Sequence, residues 1–218
     1  MRTLFVGDVH GCATALGALV QEARPERIIL LGDLFTKGDD PLGVWQRVSD
    51  WKPECVLGNH DARMLRVWGD DALGRAQAVC RALPEAARDW LAAVPSFIHG
   101  VGAAGPWIAV HAALHPTLGV AGTDRRLAYL TRRWPDDVDL NNPFWWQIYT
   151  RTERVFYGHD AMRGLQVRAR TIGLDTGCVY GGALTGFLLE EERVVQVRPD
   201  GQLIHPPQRF WSDFSEPG

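Results

Sequence analysis

An α/β fold with a parallel sheet is predicted by two features of the first 60 residues. Three short apolar runs, 3–7 (TLFVG), 27–31 (RIILL) and 54–58 (ECVLG), alternate with helical stretches at about 13–23 and 42–51. That alternation is the pattern of βαβ units. Each run also passes straight into Gly-Asp or Gly-Asn. In open α/β sheets, ligands bind outside the carboxyl ends of the strands.

The elements follow in order. The second helical stretch opens with Asp40-Pro41, a helix cap followed by a proline at the first helical position. Residues 60–94 are rich in alanine and arginine and predict helix, with a restart at Pro84. Strands are expected at 107–111 (WIAVH), 154–158 (RVFYG), 170–174 (RTIGL), 183–190 and 193–198, and helices at 124–134 and 143–149. Residues 199–218 hold four prolines and are expected to form a peripheral tail. No repeat, linker or low-complexity tract divides the chain. The expectation is one domain over 1–218, parallel at first and more antiparallel in its second half.

Composition narrows the function. With 218 residues, 46% of them hydrophobic, the chain can bury a sizeable core. The 23 basic and 26 acidic residues give a formal charge of −3. Bulk electrostatics therefore do not mark a nucleic-acid or anionic-membrane binder. All basic residues except Lys37 and Lys52 are arginine, read here as compositional bias. Cys12, Cys55, Cys80 and Cys178 are widely spread, which suits reduced thiols in a cytoplasmic protein. No stretch approaches the ~18 apolar residues of a membrane span, and the N-terminal run is too short for a signal peptide.

Five polar clusters sit at strand ends: Gly7-Asp8-Val9-His10-Gly11, Gly32-Asp33, Gly58-Asn59-His60-Asp61, Val110-His111 and Gly158-His159. Alone, a Gly-Asp after a strand is a turn. Together, their Asp, His and Asn side chains would converge on one sheet edge. Hard oxygen and borderline nitrogen donors without thiolate suit manganese, iron or zinc. An aspartate between two histidine-bearing clusters can bridge two ions about 3.5–4 Å apart, the arrangement used in phosphoryl transfer.

GDVHG (7–11), GDLFTKG (32–38) and GNHD (58–61) resemble the three N-terminal signatures of the phosphoprotein phosphatase branch of calcineurin-like metallophosphoesterases. The spacing agrees, with 25 residues from Asp8 to Asp33 and 26 from Asp33 to Asn59. VHAALHP around His111 and YGHD at 157–160 resemble the later ligand segments. LDTGCVYGGALTG at 174–186 resembles bacterial symmetrical diadenosine tetraphosphatases. The resemblance spans residues 3–198. It implies an αββα sandwich of two mixed β-sheets flanked by helices, and two divalent metal ions, manganese foremost, with iron, zinc, cobalt or nickel as alternatives. It implies that Asp8, His10 and Asp33 hold one ion, and that Asp33, Asn59, His111 and His159 hold the other. It further implies a bridging hydroxide as nucleophile and His60 as general acid. Lys37, Asn59 and Arg132 are the implied phosphate contacts, with Arg133 as the alternative to Arg132.

The second signature departs from the protein phosphatases, which read Gly-Asp-x-x-Asp-Arg-Gly. Here Thr36 replaces the aspartate that orients the general acid, and Lys37 replaces the phosphate-gripping arginine. Lysine keeps the charge but loses the bidentate fork. With GNHD in place of GNHE, this leans toward nucleoside polyphosphates such as diadenosine tetraphosphate. A capped RNA end is a similar target. The alternatives are a phosphoprotein phosphatase and, more remotely, a non-catalytic binding protein of the same fold. The region of His99 holds no ligand motif, and His115 and His205 are read as structural or exposed, although His115 follows His111 closely. The loop of Cys178 and Tyr180 is expected near the cleft rim, and Phe144-Trp145-Trp146 as base-stacking or core residues.

Overall fold

The computed structural model describes residues 1–204. Strands β1 (Thr3–Val6), β2 (Arg27–Leu30) and β3 (Glu54–Cys55) follow the three predicted runs, with α1 (Ala13–Ala23) and α2 (Pro41–Trp51) between them. β1 pairs in parallel with β2, and β2 with β3. The Asp40 carboxylate caps α2 by accepting the Gly43 N–H at 2.7 Å, with Pro41 beginning the helix. The 60–94 stretch is three helices, α3 (Asn59–Val67), α4 (Arg75–Ala82) and α5 (Glu85–Ala92). Gly69 breaks it at a φ of +84°, and Pro84 separates α4 from α5.

The second sheet begins with a hairpin of β4 (Phe97–Gly102) and β5 (Gly105–Val110). β4 was not expected: its sequence, FIHGVG, has no apolar alternation, and it forms an edge that is half exposed. β6 (Arg154–Tyr157), β7 (Gln166–Val167) and β8 (Thr171–Gly173) complete the order β4-β5-β6-β8-β7. Within it β5, β6 and β8 run parallel, and the edge strands run antiparallel. β9 (Leu184–Leu188), β10 (Arg193–Val197) and β11 (Leu203–Ile204) return to the first sheet, giving β11-β10-β9-β1-β2-β3. The expected tail thus contributes an edge strand through Leu203 and Ile204. Its remainder, with His205, Phe210 and Trp211, lies outside the described residues.

Two predicted helices are shorter than expected. The 124–134 stretch is helical only as α6 (Arg125–Leu130), capped by Asp124 on the Leu127 N–H at 2.8 Å. Pro135 disfavours helical backbone at Trp134. Asp137 takes the N–H groups of Arg132 and Arg133, the latter at 2.7 Å. The 143–149 stretch makes one 3-10 turn at Trp145–Gln147, because the Trp145 N–H is drawn to the Arg132 carbonyl at 3.0 Å.

Alternation along the strands makes three apolar layers. Leu4, Val6, Leu30 and Cys55 face the helices of the first sheet. Phe5, Ile29, Leu31 and Val56 face Trp107, Ala109, Phe156 and Ile172 of the second. Ile108, Val110, Val155 and Tyr157 point outward beneath Ala128, Trp145 and Tyr149. The fold is therefore the αββα sandwich of two mixed sheets. At its centre Phe5 and Phe156 stack with centroids 3.7 Å apart, and Trp107 meets Phe5 edge-on at 5.0 Å. Phe156→Ala should lower the unfolding free energy by about 3–5 kcal/mol, read from urea titrations. A loss below about 1 kcal/mol would show that this stack does not lock the sheets together.

Candidate active site

The parallel strands of both sheets end toward one place. β1 delivers Asp8 and His10, and β2 delivers Asp33. Asn59 and His60 open α3 after β3, His111 follows β5, and His159 follows β6. His10, Asp33, Lys37 and His159 have φ of 46°, 54°, 74° and 68°. Non-glycine residues in this left-handed region carry strain, which clusters at functional sites.

The seven residues meet. Asp33 Oδ2 lies 3.6 Å from His10 Nε2 and 3.6 Å from His111 Nε2. Its Oδ1 accepts the His60 N–H at 2.9 Å. Asp8 accepts the His159 N–H at 3.0 Å and stands 3.9 Å from His10 Nε2. On the other side, Asn59 Oδ1 is 3.0 Å from His111 Nε2 and 3.1 Å from His159 Nδ1. The remaining ring nitrogens donate to backbone carbonyls: His111 Nδ1 to Leu31 at 2.7 Å, and His159 Nε2 to Leu130 at 2.9 Å. This fixes both tautomers, so no proton stands between the two lone pairs and the Asn59 oxygen. Such a donor set suits a cation. The first set, Asp8, His10 and Asp33, faces a cation already: Lys37 Nζ lies 2.9 Å from His10 Nε2.

Burial sets the electrostatics. Asp8 is held well above the usual carboxylate range by burial, with Asp175 and Asp33 adding to it. Asp33 is pushed up to about 7, mainly by burial. Burial and Lys37 push His10 down to about 2 and His60 down to about 4. Burial likewise lowers His111 and His159. Neutral imidazoles keep their lone pairs, and buried carboxylates gain from a positive charge. On both counts the residues fit divalent ions.

Three acidic residues took no role in the sequence reading. Asp61 is fully buried and accepts the N–H groups of Asp33 at 2.7 Å and Leu34 at 3.0 Å, holding the turn that carries Asp33. GNHD marked its position but not its partners, which lie 27 and 28 residues away. Asp175 follows β8, is 6% exposed, and sets its carboxyl against Asp8 while accepting the Gly177 N–H at 3.1 Å. Asp160 stands 3.6 Å from Arg132 Nε.

The cleft over the cluster is about 530 Å³ and is lined by Asp8, His10, Asp33, Lys37, Asn59 and His60, with Arg132, Asp175 and Tyr180 at its walls. Arg132 also donates to the His159 carbonyl at 3.3 Å. Arg133 is turned away, its guanidinium 4.1 Å from the Phe144 ring centroid. Thr36 does not support His60; its hydroxyl lies 3.3 Å from His10 Nδ1. His115 accepts the Leu118 N–H at 3.1 Å and packs on Trp134, outside the cleft lining. His99 is exposed on β4. Trp145 is buried, while Phe144 and Trp146 stack on each other 5.1 Å apart beneath arginines. Neither ring is open to a base.

An αββα sandwich that gathers Asp, His and Asn donors at its strand ends defines a metal-dependent phosphoesterase. The family model described as calcineurin-like phosphoesterase matches residues 1–174, and the chain belongs to that family. It is thus a phosphohydrolase, and its family implies divalent metal ions. The symmetrical bis(5'-nucleosyl)-tetraphosphatase of Nitrosospira multiformis is 25% identical, over 90% of this chain and 95% of that one. Serine/threonine-protein phosphatase 1 of Salmonella typhimurium is 28% identical, over 83% and 88%. A crystal structure of a candidate diadenosine tetraphosphatase superposes with a TM-score of 0.79 at 28% identity, covering 90% of this chain and 92% of that one. No helix among the described residues is long and apolar enough to cross a membrane.

Asp33 is the residue shared by both donor sets. Asp33→Asn should leave the purified chain with less than half of the wild-type metal content, measured by elemental analysis after loading with manganese. Undiminished content would mean that the two sets do not share it.

Proposed function

We propose that this chain hydrolyses phosphoanhydride bonds of nucleoside polyphosphates, with diadenosine tetraphosphate as the representative substrate. A capped RNA end presents the same chemistry. The reading places Asp8, His10 and Asp33 on one metal ion and Asp33, Asn59, His111 and His159 on the second. Manganese is the proposed metal, since hard oxygen donors mixed with imidazole suit it. Bound there, two divalent ions supply an activated water and polarise the phosphoryl group. Lys37, Asn59 and Arg132 hold phosphate oxygens; the Lys37 stem is long enough to turn from His10 toward a phosphate. His60 delivers a proton to the leaving oxygen. The chain is read as one cytoplasmic domain over 1–218.

One observation carries the substrate class: no carboxylate hydrogen-bonds the His60 ring among the described residues, and Thr36 serves His10 instead. With its ring pushed down to about 4 by burial and Lys37, His60 is poorly supported as a cation. A serine alkoxide is a poor leaving group and needs strong protonation. A departing nucleotide phosphate, with a second pKa of about 6, needs little. The tetraphosphatase names of the Nitrosospira relative and of the solved structure support the same class.

The Salmonella relative favours a second reading, a phosphoprotein phosphatase. The test is kcat/KM for diadenosine tetraphosphate against a phosphoserine peptide, with the manganese-loaded chain. The tetraphosphate should lead by at least tenfold; the reverse order would hand the site to the second reading. His60→Asn should keep its metal while kcat on an alkyl phosphate such as the phosphoserine peptide falls about 10²–10⁴-fold, the range for a lost proton transfer. The fall should be smaller for diadenosine tetraphosphate and p-nitrophenyl phosphate, whose leaving groups need little protonation. An equal fall on every leaving group would remove His60 from that role.

A further inference from the structure

Tyr180 stands out on the cleft wall. It is 66% exposed, although it lines the cavity that holds the metal-ligand cluster. Its backbone is fixed. Tyr180 ends a 3-10 turn, Cys178–Tyr180, set between two left-handed glycines, Gly177 and Gly181. Its N–H donates to the Gly177 carbonyl at 2.9 Å. Cys178 anchors the turn in the core at 2% exposure, and the Thr176 hydroxyl ties the loop to the Ala183 carbonyl at 2.6 Å. The backbone beneath the ring is thus fixed, and the ring itself stands largely exposed at the cleft.

The ring also faces the phosphate end of the site. Lys37 Nζ lies 5.3 Å from its centroid and touches His10 Nε2. A short 3-10 turn after His159, Ala161–Arg163, brings Ala161 and Met162 to the same cavity, with Met162 87% exposed. Gly177 forms the floor between the two turns. A Cβ placed there would sit 3.6 Å from Tyr180 Cδ2 and 3.8 Å from Ala161 Cβ. A methyl group there would just touch both residues, since carbon atoms pack at about 3.5–4.0 Å, and the glycine leaves that space open between the two turns. An exposed aromatic ring, a flexible thioether and a bare glycine therefore line one cavity together with Lys37. Thioethers contact π-systems favourably, and a base on an aromatic platform is recognised by its face.

We infer that Tyr180 and Met162 form the base-binding subsite, clasping the purine of a nucleoside polyphosphate whose phosphates run past Lys37 to the metal-ligand cluster. This rests on the proposed substrate class and deepens it. The assignment makes Tyr180 a specificity determinant: it adds affinity for the nucleoside and none for phosphate alone.

The experiment compares ADP and pyrophosphate as ligands of the manganese-loaded chain by isothermal titration calorimetry. It uses wild type, Tyr180→Ala, Tyr180→Phe and Met162→Ala. Wild type should bind ADP at least tenfold more tightly than pyrophosphate. Tyr180→Ala should weaken ADP about 10-fold or more, the scale of one lost stacking contact, with pyrophosphate affinity in the same variant as the internal control of folding. Tyr180→Phe should retain the preference, and Met162→Ala should lose part of it. The same variants then give KM for diadenosine tetraphosphate, which should rise with kcat little altered. An ADP preference untouched by Tyr180→Ala overturns the inference. So does an equal loss in Tyr180→Phe, because the hydroxyl and not the ring would then be acting. A wild type that binds ADP through Tyr180 yet does not cleave diadenosine tetraphosphate upholds the subsite and overturns only the choice of substrate.

Discussion

The Asp33 carboxylate is the constraint around which this molecule is arranged. It is 2% exposed and lies between His10 and His111 at equal distances of 3.6 Å. Its residue sits in left-handed backbone at a φ of 54°. Such a conformation costs on the order of 1–3 kcal/mol and persists only where the surroundings over-determine it. Here Asp61 takes the Asp33 N–H at 2.7 Å, and the His60 N–H takes the carboxylate at 2.9 Å. Space is equally tight: a Cβ on Gly58 would collide with Asp33 Oδ1 and Asp33 N. Gly58 is therefore required by its neighbour across the strand gap.

The two sheets answer the same constraint. Each carries three adjacent parallel strands, β1-β2-β3 at one side of the first sheet and β5-β6-β8 at the centre of the second. The aromatic layer of Phe5, Phe156 and Trp107 clamps them face to face. Every donor follows a carboxyl end. Asp8, His10, Asp33 and Asn59 come from the first sheet, and His111 and His159 from the second, with Asp175 beside Asp8. The interlayer packing stabilises the fold, and the strain of His10, Asp33, Lys37 and His159 is set against it.

The sequence made the first half of this legible, for a physical reason. Three buried strands in parallel read as continuous apolar runs, and the residues that turn out of them are the chemistry itself. Three edge strands were not legible. β4 and β7 face water on one side and carry no apolar run, and β11 fell in a proline-rich stretch. Long-range partners were equally hidden. The N–H groups of Arg132 and Arg133 are claimed by Asp137, which shortens α6. Asp61 and Asp175 carried no role in the sequence, because their work is done on Asp33 and Asp8, distant in the chain. Thr36 was read by its place in a signature and proved to face His10.

The cleft lining explains why affinity for an uncharged group matters here. Asp8, Asp33 and Asp175 oppose Lys37 and Arg132 within one cavity, and Arg132 shares its charge with Asp160 at 3.6 Å. Without divalent ions that lining is net negative when its acids are ionised, and it opposes a polyphosphate. The whole chain, at −3, adds no long-range attraction. Divalent ions held there would reverse the local sign, so phosphate affinity and catalysis would depend on the same metals. Electrostatics then favour any phosphate alike: a protein, a nucleotide or the inorganic ion. Selection must come from contacts that phosphate cannot make, and the exposed face of Tyr180, beside Lys37 on a hydrogen-bonded turn, is placed to make one.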